Sequence, residues 1–90
     1  MTWSETLYEE NDVYKYCQYS FGPIVEKNGF EDIEYICEIT KDQENIPSFS
    51  QLTLYLNNIE PKGNMEKFEK YLKSKDINFK THIWQKPLLD

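Results

Sequence analysis

The sequence predicts a small α+β domain in which a mostly antiparallel sheet of about four strands carries one long helix on one face. Three neighbouring segments indicate this class. Residues 51–57 alternate apolar and polar side chains, residues 64–75 repeat apolar side chains at a helical period, and residues 77–85 alternate again. Because the apolar face of a sheet needs a covering layer, the helix is expected to pack against these strands.

The predicted helix over residues 64–75 has a marked start and one apolar stripe. Asn64 can cap its first turn, because its side-chain oxygen can accept a hydrogen bond from an unpaired backbone N–H group. Met65, Phe68 and Leu72 recur at spacings of three and four residues and so share one side of the helix. This stripe is expected to cover the apolar sides of the two flanking strands, which comprise Leu52, Leu54, Leu56, Ile77, Phe79, Thr81 and Ile83.

The first half of the chain predicts two more strands and a possible short helix. Residues 13–21 and 32–40 each alternate at period two and contain tyrosine and isoleucine, which favour strands. An Asn-Gly pair at residues 28–29 separates them, as is typical of a turn. Residues 3–11 are compatible with a short N-terminal helix. The predicted order is therefore strand, strand, strand, helix and strand, after that first helix.

The length of the chain bounds the architecture to one domain over residues 1–90, since domains typically contain about 100–150 residues. The sequence has no apolar run approaching the roughly 20 residues that cross a bilayer, and its N-terminus lacks a signal-peptide pattern, so we expect a cytoplasmic protein. Cys17 and Cys37 are then expected to be free thiols that point inward. With one histidine they cannot complete a four-ligand zinc site, and we expect neither a metal nor a cofactor.

Acidic residues are concentrated in the first half of the chain. Residues 1–45 contain eleven Asp and Glu against three Lys, a net charge of −8, whereas residues 46–90 carry +2. A clustered negative field attracts positively charged surfaces and repels nucleic acid and anionic lipid. The sequence also lacks arginine, the residue best suited to forked phosphate recognition. The charge therefore favours a protein partner with a basic surface over direct binding to nucleic acid or to membranes.

A single long helix can cover only one face of the predicted sheet, so the other face must meet solvent or a partner. Tyrosine and tryptophan on such a face are typical of binding anchors, since they bury a large area at low entropic cost. The alternative is that residues 3–11 fold across this face through Trp3 and Leu7. The residues expected on the uncovered face are Tyr14, Tyr16, Glu34, Ile36, Glu38, Tyr55, His82 and Trp84.

Motifs for catalysis are lacking in the sequence. His82 is the side chain suited to proton transfer near neutral pH, but no serine or cysteine stands at a spacing recognised for a nucleophile. The acidic residues at 31, 32, 34 and 38 could suggest a paired-carboxylate or metal site, but Glu34 and Glu38 are expected to pair with lysines on a neighbouring strand, which is sufficient reason for them. The chain contains neither a glycine-rich phosphate loop nor a Cys-x-x-Cys pair. We therefore expect a protein without enzyme activity.

The first functional hypothesis is a small acidic protein-interaction module. In size and charge alone the chain is similar to the small acidic proteins with which bacteria and phages neutralise toxins or defence nucleases. An inhibitor or immunity-type protein of this kind would occlude the basic nucleic-acid-binding surface of its partner, with carboxylates where phosphates would lie. The predicted partner-binding residues are Glu9, Glu10, Asp12, Tyr14, Tyr16, Glu31, Asp32, Glu34, Glu38, Tyr55 and Trp84.

Two other functions remain compatible with the same residues. A small regulatory domain could hold a small molecule on the sheet face or in a cleft beside the helix, although so small a core leaves little room for a buried cavity. A homodimer could bury the aromatic face against its own copy. A screen of thermal shifts with metabolites separates the ligand-binding hypothesis from the others.

Overall fold

The computed structural model describes residues 2–88 and shows a four-stranded antiparallel sheet in the order β1-β2-β3-β4, together with three helices. The α+β class and the antiparallel sheet of four strands are confirmed. The single long helix is not, because the structure has two helices of ten residues and one of five. In chain order the elements are β1 (Thr2–Glu10), β2 (Val13–Phe21), α1 (Pro23–Lys27), β3 (Phe30–Thr40), α2 (Phe49–Asn58), α3 (Met65–Ser74) and β4 (Phe79–Pro87).

The segment predicted as an N-terminal helix is the strand β1. Each of its nine residues has a partner in β2, and Glu10 lies opposite Val13. Only two residues connect these strands, and the first of them, Asn11, has a φ of 54°, in the left-handed region that asparagine tolerates better than most residues. A two-residue connection of this kind is typical of a hairpin and brings both strands into register. The helix prediction for residues 3–11 was wrong because this turn was not recognised.

The segment predicted as a strand over residues 51–57 belongs to the helix α2. Ser48 and Gln51 form a capping box: the Ser48 hydroxyl accepts from the Gln51 backbone N–H at 3.1 Å, and the Gln51 side chain accepts from the Ser48 N–H at 2.8 Å. Leu52 and Leu56 lie one helical turn apart and are buried, whereas Leu54 points away and is 65% exposed. The alternating leucines fit a helix as well as a strand, and the cap decides between them.

The helix predicted over residues 64–75 is observed as α3, and the strand predicted over residues 77–85 is observed as β4, which begins and ends two residues later. The Asn64 side chain accepts a hydrogen bond from the Lys67 backbone N–H at 3.0 Å, and the helix then runs to Ser74. Phe68 and Leu72 are fully buried. Among residues 2–88, neither α3 nor any other helix combines the length and the apolar character that crossing a membrane would need.

Both ten-residue helices pack on one side of the sheet, here called the helix-covered face; the opposite side is the open face. The Phe68 ring meets the edge of the Tyr16 ring, with centroids 5.1 Å apart, and Phe49 packs against Tyr14 at 6.1 Å. The core between helices and sheet is drawn mainly from β2, β3, α2 and α3. Its buried members are Tyr14, Tyr16, Tyr35, Cys37, Ile39, Leu52, Leu56, Ile59, Phe68, Leu72 and Ile77.

The core does not extend across β4 as the sequence predicted. Phe79 is half-buried beside the core, but Thr81 is exposed and Ile83 is 66% exposed, although their register places them on the helix-covered face. The helices leave this part of the face uncovered, so the expected packing of Thr81 and Ile83 beneath α3 is not observed. β4 is consequently exposed on both sides over most of its length.

A small polar network joins the start of the sheet to the loop before α3. The Gln18 amide donates to the Gly63 carbonyl at 2.7 Å and to the Tyr16 hydroxyl at 2.6 Å, and this hydroxyl donates to Glu5 at 2.7 Å. The Trp3 ring packs against Gly63 from β1. Buried polar groups need such partners, so this network fixes how the loop leading into α3 meets the sheet.

Candidate protein-binding face

The antiparallel register places side chains from different strands in rows across the open face. In one row Tyr19 of β2 lies opposite Glu34 of β3, which in turn lies opposite Trp84 of β4. In the next row Phe21 lies opposite Asp32. Directly opposite residues of an antiparallel pair have Cβ atoms about 4.5–5.5 Å apart, so each row brings aromatic rings beside carboxylates. These five residues, Tyr19, Phe21, Asp32, Glu34 and Trp84, are here called the aromatic–acidic patch.

The aromatic rings of this patch are accessible. Trp84 is 70% exposed, and Tyr19 and Phe21 are 42% and 43% exposed. Two open depressions of about 410 and 450 Å³ lie in the patch, and Tyr19 and Asp32 border both of them. Three exposed aromatic side chains that share one face are uncommon on a surface without a partner and mark it as a candidate interaction site.

Negative charge exceeds positive charge around the patch. Glu26 and Glu31 border the second depression beside Asp32, whereas Lys86, next to Asp32, pairs with Glu31 at 3.2 Å. The pKa of the Tyr19 hydroxyl is raised, first by hydrogen bonding to Glu34 and then by the charge of that carboxylate. The patch therefore has the electrostatic character of a site for cationic groups.

Replacing Glu34 with glutamine should lower the pKa of Tyr19, because the charge that disfavours the phenolate is then removed. The measurement is a pH titration of the Tyr19 ring signals by NMR. Glu38→Gln provides the control, since it removes a carboxylate from the same side of β3 whose register partner is Lys15 and not Tyr19. Equal shifts of the Tyr19 pKa in both variants would exclude Glu34 as its specific neighbour.

The rest of the open face is nearly balanced in charge. Lys15 pairs with Glu10 at 3.5 Å and with Glu38 at 3.9 Å, and Lys80 lies opposite Glu38 in register. The expected pairing of Glu38 with lysines is thus confirmed, whereas the same expectation for Glu34 is wrong, because Glu34 lies opposite Tyr19 and Trp84. Because their charge is compensated within the sheet, Glu10 and Glu38 contribute less to a field that attracts a partner than the patch carboxylates do.

Two tyrosines predicted for the open face lie on the helix-covered face instead. Tyr14 and Tyr16 are only 8% and 2% exposed, so their predicted placement on the open face is wrong. Both faces of β2 carry aromatic side chains, and the face that contains Tyr14 and Tyr16 packs under the helices. Burial of Tyr16 is possible because its hydroxyl is hydrogen-bonded to Glu5 and Gln18, and burial raises its pKa.

Tyr55, also predicted for the open face, lies on α2. Its ring stacks on Tyr71 with centroids 3.9 Å apart and an angle of 14° between the planes, and its hydroxyl donates to the Lys67 carbonyl at 3.3 Å. It was misplaced because residues 51–57 were assigned to a strand. Tyr55 therefore joins the two helices and belongs to the side of the molecule away from the patch.

The remaining predicted carboxylates separate into two groups. Glu9, Glu10 and Asp12 lie at the β1–β2 turn, where Lys41 forms an ion pair with Glu9. Glu31 stands with the patch at the other end of the strands. The structure thus brings Glu31 together with Asp32, Glu34 and Trp84, but it does not bring the turn carboxylates there.

Sequence reasoning missed Tyr19 and Phe21 and placed one cysteine wrongly. Cys17 lies on the open face and is half-buried, whereas only Cys37 points into the core, where burial raises its pKa to about 12. A signal was present in β2: Lys15 shares one side of the strand with Cys17, Tyr19 and Phe21, and a lysine is rarely buried in a core without a partner. Lys15 therefore could have identified this set as the outward one.

A groove of about 550 Å³ lies on the opposite side of the molecule, between α2, α3 and the loop before α2. Leu54 is exposed in it, and the stacked rings of Tyr55 and Tyr71 form part of its wall. Lys75 lies near the Tyr71 ring, with its ammonium 5.8 Å from the centroid. The groove has a volume typical of small-molecule sites, although it is open to solvent.

Within residues 2–88, no three His, Cys, Asp or Glu side chains are placed so that they could hold a metal ion. Comparison of the chain with protein-family models, with curated proteins and with solved structures finds no match.

Proposed function

We propose that this protein is a non-catalytic interaction module that binds the basic surface of a partner protein through the aromatic–acidic patch. The observation that carries the proposal is the row formed by Tyr19, Glu34 and Trp84 across three neighbouring strands. This row is accessible, and it combines the two kinds of side chain that recognise lysine and arginine.

The chemistry of the patch suits a cationic partner. Carboxylates attract ammonium and guanidinium groups, and the faces of tryptophan and tyrosine bind them further by cation–π contact, worth about 0.5–1 kcal/mol at an exposed site. The sheet backbone holds these side chains in fixed positions, so little entropy is lost when a partner binds. Trp84 and Tyr19 are therefore the expected anchors, and Asp32 and Glu34 are expected to orient the basic groups.

The net charge supports a more specific proposal. The whole chain carries −6, and the carboxylates around the patch all belong to the half that carries −8. We infer an inhibitor or immunity-type protein that acts in the cytoplasm by occupying the nucleic-acid-binding surface of a nuclease or another toxin or defence protein. Its carboxylates would take the place of phosphates on that surface.

Trp84→Ala tests the anchor role. The unfolding free energy should change by no more than about 1 kcal/mol, because the side chain is largely exposed, while partner binding should weaken by about 2 kcal/mol or more. Affinity capture from the native host with wild-type and variant baits supplies the partner, and calorimetry then gives both dissociation constants. Leu54→Ala is the matched control, since Leu54 is 65% exposed but lies on α2.

Two results would contradict this assignment. A denaturant melt showing a loss above about 3 kcal/mol for Trp84→Ala would mean that the side chain belongs to the core. A partner that binds the Trp84→Ala and Leu54→Ala variants equally well would mean that the patch is not its binding site.

The salt dependence of association tests the electrostatic part of the proposal separately. The association rate should fall as ionic strength rises, because the Debye length shortens from about 10 Å at 0.1 M to about 3 Å at 1 M. Stopped-flow measurements with the captured partner provide the rates. A rate that stays constant between low and high salt would leave the aromatic anchors in place but would remove charge steering from the mechanism.

The groove between α2 and α3 supports a second candidate function, the binding of a small molecule. Tyr55, Tyr71 and Leu54 give it an apolar wall, and Lys75 adds one positive charge. A thermal-shift screen of metabolites should then find a compound that stabilises the wild-type protein but not the Leu54→Lys variant. A compound that stabilises both proteins equally binds elsewhere.

A further inference from the structure

Both edges of the sheet are free within the part of the chain that the structure describes. β1 and β4 are the outer strands of the order β1-β2-β3-β4, and each is nine residues long. An unpaired edge presents a row of backbone N–H and C=O groups that another strand can pair with. Natural sheets usually block such edges or use them in assembly, so the side chains on each edge strand decide which applies.

The two edge strands carry opposite charge. β4 contains Lys80 and Lys86 and no carboxylate, whereas β1 contains three glutamates and no lysine. Pairing of β4 with a second β4 about Ile83 would place Lys80 opposite Lys86. Pairing of two β1 strands about Leu7 would place glutamates opposite each other. Like charges directly opposite are destabilising, so each edge disfavours its own copy and favours the other edge.

We propose that β4 of one copy of this chain pairs with β1 of a second copy and so continues the antiparallel sheet from molecule to molecule. β1 and β4 run in opposite directions within the sheet, so a second copy in the same orientation presents its β1 antiparallel to β4. In the register that places Ile83 opposite Leu7, Lys80 lies opposite Glu10. This register also keeps the helix-covered faces on one side and the open faces on the other.

An apolar contact supports this register. Ile83 is 66% exposed and points to the helix-covered side of β4, a part of that face which residues 2–88 leave uncovered. A gap of about 220 Å³ lies between β1 and α2, and its apolar lining includes Leu7, Phe49 and Leu56. Pairing Ile83 with Leu7 of the next copy places the isoleucine at this gap. One contact would therefore bury an exposed apolar side chain and fill an open space.

The contact is heterologous, because it joins two different surfaces, and it therefore forms chains or rings that are not limited to two copies. The contact uses the backbone edge of β4 and the Ile83 side chain, whereas Tyr19, Phe21, Asp32 and Glu34 of the aromatic–acidic patch lie on the inner strands. Trp84 shares β4 with Ile83, but its side chain points to the opposite face of the sheet. The β1–β4 pairing could therefore be correct if the patch binds no partner, and the patch could bind a partner if the strands do not pair.

Sedimentation velocity of the full chain from about 10 to about 500 µM tests the contact, since weak pairing becomes visible near its dissociation constant. The mean mass of the wild-type protein should rise with concentration beyond that of a dimer. Ile83→Lys should remain monomeric throughout, while Leu54→Lys, at an equally exposed leucine on α2, should behave as wild type. Circular dichroism confirms folding, and Ile83→Thr, which keeps a β-branched side chain, provides a milder variant that should weaken association at least tenfold.

Charge exchange identifies the two edges. Glu10→Lys alone and Lys80→Glu alone should each weaken association several-fold, whereas the double variant, or an equimolar mixture of the two single variants, should associate as the wild type does. A wild-type protein that is monomeric throughout, a mass that stops at a dimer, or an association insensitive to Glu10→Lys would each overturn the proposal. Restored association in the mixture would show that residue 10 of one copy lies near residue 80 of another, as pairing of β1 with β4 requires.

Discussion

Replacing Phe68 with alanine should lower the unfolding free energy by about 3–5 kcal/mol, one of the two largest effects expected of a single substitution in this protein. Phe68 is fully buried at the centre of the helix-covered face. Its ring contacts Tyr16 of β2 edge-on at 5.1 Å and lies 6.3 Å from Tyr55 of α2, so one side chain links the sheet to both long helices. Truncation would leave a cavity that rigid sheet and helix backbones cannot fill.

Urea melts followed by circular dichroism measure this loss. Phe21→Ala removes the same side chain from a position that is 43% exposed and should cost no more than about 1 kcal/mol. Because small domains are stable by only about 5–15 kcal/mol, the Phe68 variant should be close to unfolding at physiological temperature. Similar losses for both variants would show that α3 does not cover the sheet as described.

Local sequence signals were sufficient to predict α3 correctly. The Asn64 cap and the spacing of Phe68 and Leu72 lie within the helix or directly before it, so these signals do not depend on the rest of the fold. For α2 the internal signal was ambiguous, because Leu52, Leu54 and Leu56 satisfy a strand period while Leu52 and Leu56 also satisfy a helical one. The deciding residues were Ser48 and Gln51 at its start.

The site was predictable only in part for a different reason. Asp32, Glu34 and Trp84 could be assigned to the open face, because each lies on a strand whose alternating side chains form one mainly apolar face and one mainly polar face. β2 has aromatic side chains on both faces, and the choice between Tyr16 and Tyr19 depends on which face the helices cover. That is a property of the whole fold, since it follows from the positions of α2 and α3 and not from β2 itself.

The structure divides the acidic residues of the first half of the chain between two ends of the sheet. Its carboxylates do not form one continuous field, because the hairpin separates the β1–β2 turn from the β2–β3 end of the sheet. At the turn, Glu9 and Glu10 are paired with Lys41 and Lys15. At the other end, Asp32 and Glu34 stand beside exposed rings. There, acidic and exposed aromatic side chains share one surface, so the proposed binding site is narrower than the charge distribution alone indicated.

Gly63→Ala is expected to produce the second large loss of stability, about 2–4 kcal/mol from combined backbone and steric strain. Gly63 has a φ of +82°, which disfavours any residue with a Cβ atom. A Cβ atom there would also lie 2.7 Å from Cη2 and 3.0 Å from Cζ3 of the Trp3 ring. The Gly63 carbonyl accepts a hydrogen bond from the Gln18 amide at 2.7 Å, so a shift of the loop away from Trp3 would strain that partly buried hydrogen bond.

Gly29→Ala separates the two causes in the same urea melts. Gly29 has a similar φ of +90°, but a Cβ atom there would meet no atom within 4 Å, so this variant should lose only the backbone contribution of about 1–2 kcal/mol. The difference between the variants measures the contact with Trp3. Replacing the Trp3 ring with the smaller leucine side chain should then reduce the loss of unfolding free energy caused by Gly63→Ala to the loss caused by Gly29→Ala. If Gly63→Ala costs no more than Gly29→Ala in the wild-type background, Trp3 does not pack against the loop that leads into α3.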